Sequence, residues 1–107
     1  MNYSYQSEKL SAARSALMLP HSRGEAASIA NAFHQIHLAL HRLDESGLDD
    51  NARTWISKIN EFMDTTGLHD PNSEGLWTIK ARQLSTDDKI ELSRCVDELA
   101  HWFHDQR

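Results

Sequence analysis

Between Ala26 and Leu43, apolar side chains recur at spacings that only a helix brings onto one face. Ala26, Ile29, Phe33, Ile36, Leu40 and Leu43 follow one another at intervals of 3, 4, 3, 4 and 3. That is the a/d seam of an antiparallel bundle or a coiled coil, held for almost three heptads. Strand side chains alternate with a period of two, so a β-strand has no use for this pattern. Ser22 and Glu25 read as a capping box at the start, and Gly47 as the left-handed residue that stops the helix. At ~1.5 Å per residue the helix spans about 30 Å, the width of a small domain. Whatever else the chain forms must cover this seam.

Three further stretches read as helices. The first runs from about Ser4 to Met18 with Leu10, Ala13 and Leu17 on one side, and Pro20 ends it. It is the least apolar of the four and the most easily frayed. A third opens at Asp49 or Asp50, whose carboxylate caps free N–H groups and suits the helix dipole. Ala52, Trp55, Ile56, Ile59, Phe62 and Met63 form its stripe, and Gly67 with Leu68 looks like a Schellman ending. The last begins at Ser85 or Thr86 with Asp87 and Asp88 in its first turn, and Leu92, Cys95, Val96, Leu99, Trp102 and Phe103 line one face.

From His69 to Leu84 the pattern is mixed. Pro71, Asn72, Ser73 and Gly75 mark a loop. After them Trp77, Ile79 and Ala81 alternate with Thr78, Lys80 and Arg82, a strand period, but a lone strand has no partner in a helical chain. A short helix burying Leu76 and Ile79, or an irregular crossing, is the expectation. The short connections from the first helix to the second and from the second to the third predict antiparallel neighbours. The expected fold is all-α: one domain over residues 1–107, a small antiparallel four-helix bundle with an irregular or short-helical segment between the last two long helices.

Composition narrows the function classes. The longest apolar run is four residues, too short to span a bilayer, and the N-terminus MNYSYQSEKL lacks the basic start and apolar stretch of a secretory leader. Cys95 is the single cysteine, so an internal disulfide is impossible and a reducing, cytoplasmic setting is expected. The net charge of −5 is uneven: +2 over residues 1–43, −6 over 44–77 and −1 over 78–107. An acidic middle disfavours nucleic acid, whose phosphates require a basic face. A solvated acidic face is the ordinary explanation, and a basic protein partner the sharper one.

Candidate chemistry resides in the histidines and tryptophans. His34, His37 and His41 fall within about 60° of arc on one helix, where imidazoles can hold zinc, copper or nickel if another ligand joins them. His101 and His104 form a second pair, i and i+3. No phosphate-binding glycine loop is present. Trp55 and Trp102 lie in apolar stripes and read as core, and Cys95 as an inert buried thiol. Trp77 belongs to no stripe. Beside Ile79, Lys80 and Arg82 it reads as the anchor of an interaction surface.

Arg94 and His101 are separated by six residues and share a helix face. This pair resembles the Arg-x4–6-His signature of the HEPN helical-bundle ribonucleases, with Cys95 where that family usually has a polar residue. The resemblance covers two residues. It implies RNA cleavage at a dimer interface, with His101 as general acid or base and Arg94 stabilising the phosphorane. The leading expectation is instead a non-enzymatic protein–protein interaction or regulatory module. It would need no cofactor, and its partner would be a protein, with a second copy in a homodimer as one form. The histidine-based metal protein and the HEPN-like ribonuclease stand as its alternatives.

Overall fold

The computed structural model describes residues 3–18 and 24–106. They form α1 (Ser4–Met18), α2 (Glu25–Leu40), a 3₁₀ turn (Glu45–Gly47), α3 (Asp50–Met63), α4 (Leu76–Gln83) and α5 (Thr86–Asp105). The fold is an all-α bundle, and no strand occurs among the described residues. The four long helices are joined by the short fifth one expected between residues 69 and 84.

The helices close a ring. α1 packs on α2, α2 on α4, α4 on α3, α3 on α5, and α5 returns to α1. The sequence had placed the second and third helices side by side. In the structure they are not among the closely packed pairs; α4 packs on α2 and also meets α3. The connection 41–49 makes this separation possible. Arg42 takes a left-handed φ of 59°, and Asp44 accepts the Ser46 N–H at 3.0 Å. Leu48 is buried, and Leu43 packs against the core. The connection therefore contributes apolar surface of its own.

Helix ends follow local chemistry. Asp49 caps α3 by accepting the Ala52 N–H at 2.9 Å. Ser85 and Asp88 make a reciprocal capping box at the start of α5, each side chain accepting the other's backbone N–H at 3.0 Å. α2 departs from expectation at both ends. It opens at Glu25 with Gly24 as N-cap and no side-chain cap bond. The Ser22 half of the expected capping box lies outside the described residues, as does Pro20. α2 then stops at Leu40, with His41 extended, and Gly47 closes the 3₁₀ turn instead of the helix. The seam continues to Leu43 in the chain, but Leu43 is presented by the connection. Gly67 is left-handed, with φ of 81°. It sits in a turn closed by the Leu68 N–H to the Thr65 carbonyl at 3.1 Å. α3 has already ended at Met63.

The core is continuous. Ile29, Phe33 and Ile36 of the seam are buried, and so are Ala32 and Ala39 off it. A helix flanked by α1 on one side and α4 on the other needs two apolar faces, and the alanines widen the stripe. Leu10 and Ala13 of α1 are fully buried with Tyr3 and Ser7 beside them, so the least apolar helix occupies the place between α2 and α5. The α5 stripe is buried as expected at Leu92, Cys95, Val96, Leu99 and Phe103. Each large aliphatic or phenyl group so buried stabilises the fold by about 1.5–3 kcal/mol. The Tyr3 ring stands edge-on to Phe103 with centroids 5.0 Å apart. Its hydroxyl is buried without a hydrogen-bond partner among the described residues.

Candidate functional site

Two groups that the sequence presents separately, the α2 histidines and the Trp77 segment, meet in one place. The loop before α4 is shaped by Asp70, whose two carboxylate oxygens accept the N–H groups of Glu74 at 2.7 Å and Gly75 at 2.8 Å. Gly75 is the N-cap of α4 with φ of 96°, a conformation that side-chain-bearing residues rarely adopt. Glu74 then grips Arg82 from the last turn of α4 with two bonds of 2.7 and 2.9 Å. Loop and helix are thereby clamped into one unit that sets Trp77 against α2.

Trp77 stands edge-on to Phe33 at 6.5 Å and to His34 at 6.4 Å between ring centroids. Its ring is 5.7 Å from that of His37. The rings of His37 and His41 follow at 5.4 Å, tilted by 34°. All three histidines are exposed, while Trp77, Ile79 and Lys80 are half-buried and Arg82 is exposed. Leu76, expected inside, is 38% exposed. Ala81 and Leu84 are buried instead, because the helix turns those positions toward the core. Leu76 and Trp77 border a shallow depression of about 460 Å³ lined also by Ala30, Thr65, Gly75 and Thr78.

His37 and His41 face a second space, a cavity of about 220 Å³ between α2 and α3. Its apolar lining comes from Ile36, Leu40, Leu43, Ile56 and Met63, and its other polar members are Glu45 and Asn60. Among the described residues no three His, Cys, Asp or Glu side chains converge on a point that would hold a metal. His34, His37 and His41 thus do not form a three-ligand site: His34 and His37 both border Trp77, and the ring neighbouring His41 is that of His37.

The charges of the surface are mostly committed. Asp44, Asp49, Asp64 and Asp70 accept hydrogen bonds in caps and turns, and Glu74 holds Arg82. These five belong to the eight acids of the stretch 44–77, so its acidity is largely explained by local structure. The bonds from Thr66 hold the Asp64 carboxyl below the ordinary carboxylate range, with the nearby Lys80 charge adding a smaller pull. Arg82 is therefore paired with a carboxylate, while Lys80 acts on Asp64 only as a weak, more distant charge.

On α5, Arg94 is held by Glu91 through bonds of 2.7 and 3.1 Å, and Lys58 from α3 reaches the same carboxylate at 3.1 Å. These two cations draw the Glu91 carboxyl down to about 2. His101 lies against its own helix, with Nδ1 at 3.0 Å from the Asp97 carbonyl and 3.6 Å from the Asp97 carboxylate. A phosphodiester bound between Arg94 and His101 would have to displace Glu91 and approach Asp97. Cys95 is fully buried, and burial pushes its thiol pKa up, away from the reactive thiolate.

Sequence reasoning missed two features. The Trp102 indole donates to Asp49 at 2.9 Å, so the residue that caps α3 also ties it to the end of α5. Asp70 carried the only legible trace of the α4 clamp, an acid shortly before a glycine and a tryptophan. No family model, curated protein or solved structure matches the chain.

Proposed function

We propose that the chain is a small protein-interaction module that docks through the outer face of α4, with a second copy as its first partner. The observation that carries this reading is Leu76, 38% exposed beside the half-buried Trp77 on a clamped helix. An aromatic anchor already fixed by its neighbours loses little conformational freedom on association, which is what central interface residues need. Ile79 extends the apolar area, and Lys80 and Arg82 form a polar rim. Because Arg82 is already paired with Glu74 and Lys80 lies at the edge, they contribute to register and partner choice more than to affinity. The depression of about 460 Å³ at Ala30, Thr65 and Thr78 gives a facing side chain somewhere to insert.

The test is the native mass of untagged protein by light scattering or sedimentation. The expected species is twice the chain mass of 12.2 kDa. Leu76→Glu places a charge in the proposed contact and should return the protein to a monomer while its far-ultraviolet circular dichroism stays unchanged. A wild-type protein that is monomeric at every accessible concentration, or a dimer indifferent to Leu76→Glu, removes the self-association reading.

A further inference from the structure

We propose that His37 and His41 form a two-histidine chelate for a borderline transition-metal dication, taking Cu²⁺ in preference to Ni²⁺ or Zn²⁺. The pair differs from the three-histidine arrangement that sequence spacing offered, and it does not depend on the α4 docking reading. Two imidazole nitrogens on one ion at about 2.0–2.1 Å place their ring centroids roughly 4.5–5.2 Å apart for right-angled to tetrahedral geometry. The observed separation is 5.4 Å. Both side chains are exposed, so small rotations of the rings close the difference.

The place in the fold favours a cation for a second reason. His41 is the C-cap of α2, and its N–H bonds the His37 carbonyl at 2.9 Å. The pair therefore occupies the last turn, where the outward carbonyls of the helix carry partial negative charge. Glu45 lines the same cavity as both rings and adds a carboxylate to that field. Since no third His, Cys, Asp or Glu completes the site among the described residues, the remaining coordination positions belong to water. An ion held by two nitrogens and solvent follows the general affinity order in which Cu²⁺ stands highest.

The experiment titrates the untagged full chain, stripped with a chelator and dialysed, with CuCl₂, NiCl₂ and ZnCl₂ by isothermal calorimetry. One Cu²⁺ per chain is expected at the tightest site, weaker Ni²⁺ and Zn²⁺, and no response to MgCl₂. His37→Ala or His41→Ala should each weaken Cu²⁺ binding at least about tenfold, because the second donor no longer acts at high effective concentration. Paired replacement His101→Ala with His104→Ala should leave that site intact. Trp77, 5.7 Å from His37, supplies a second readout: its fluorescence should fall as Cu²⁺ binds. Trp77→Phe should remove that part of the quench and leave the calorimetric stoichiometry. Leu76→Glu should bind as wild type, which keeps a failure of the docking reading distinct from a failure of this one. Wild-type protein that takes up no Cu²⁺, or His37→Ala and His41→Ala that bind like wild type, overturns the proposal. So does His34→Ala if it weakens Cu²⁺ as much as the other two.

Discussion

Glu91 shows how one half-buried surface side chain is governed by what the fold brings to it. Arg94 lies one turn away on its own helix, but Lys58 arrives from α3, and together they hold the carboxyl at about 2. The ordinary value is 4.5, so the group binds its proton less readily when folded than when unfolded. Its contribution is complete above the unfolded value and disappears as pH falls from there through about 2. Wild type should therefore exceed Glu91→Gln in urea midpoint at neutral pH, and the gap should close across that acid window. Raising the salt concentration should narrow the gap at neutral pH, since the group faces solvent. A gap that persists unchanged at the acid end would show that the ion pairs are not its cause. Cys95 illustrates the opposite case. Its position on a buried stripe was readable from spacing, and its thiol pKa is pushed up first by burial and then by the neighbouring Glu91 carboxylate.

At the scale of the element, agreement was good wherever a short-range rule decides the outcome. α1 keeps its expected bounds and α3 and α5 begin where expected, because caps and apolar periodicity are local properties, whereas α3 stops at Met63, short of the ending expected at Gly67. Ser85 is the clearest example. Ser85→Ala removes the acceptor for the Asp88 N–H and half of the capping box, and it should cost about 1 kcal/mol in denaturant unfolding. A loss well below a few tenths would mean the cap is dispensable. α2 shows where local rules fail. Its seam runs on to Leu43, yet the helix stops at Leu40, since Arg42 turns left-handed and Leu43 reaches the core from the connection. Nothing in the period of the apolar residues records that change. α4 lay between two readings because eight residues are too few for either period to dominate. Its helix is secured by the Asp70 and Glu74 bonds, which act across the loop.

For the whole molecule the ring of five helices is the governing feature. α4 closes it by packing on α2 and meeting α3, so α4 should unfold together with the rest rather than ahead of it. A protein carrying Trp55→Phe and Trp102→Phe leaves Trp77 as the single tryptophan reporter. Its fluorescence and the far-ultraviolet circular dichroism should then give coincident thermal transitions. A fluorescence midpoint clearly below the other would identify α4 as a separately melting unit. The ring also accounts for the candidate site. The α2 histidines and Trp77 are neighbours because α4 lies on α2, and the cavity beside His37 and His41 exists because α3 does not.

The chain by itself determined the fold class, the four long helices, the caps at Asp49 and Ser85 and much of the core. Those properties arise from hydrogen bonds and side-chain spacing within a few residues. It also singled out His34, His37, His41 and Trp77 as chemically unusual. Only the tertiary structure decided the order of the helices round the ring, the pairing of Trp102 with Asp49, and the meeting of Trp77 with the histidines. A pattern of apolar residues states that a face must be covered, and several helix arrangements cover it equally well. The choice among them falls to the turns at residues 41–49 and 70–75. There a few hydrogen bonds and left-handed residues direct the chain, and their effect is felt many residues away.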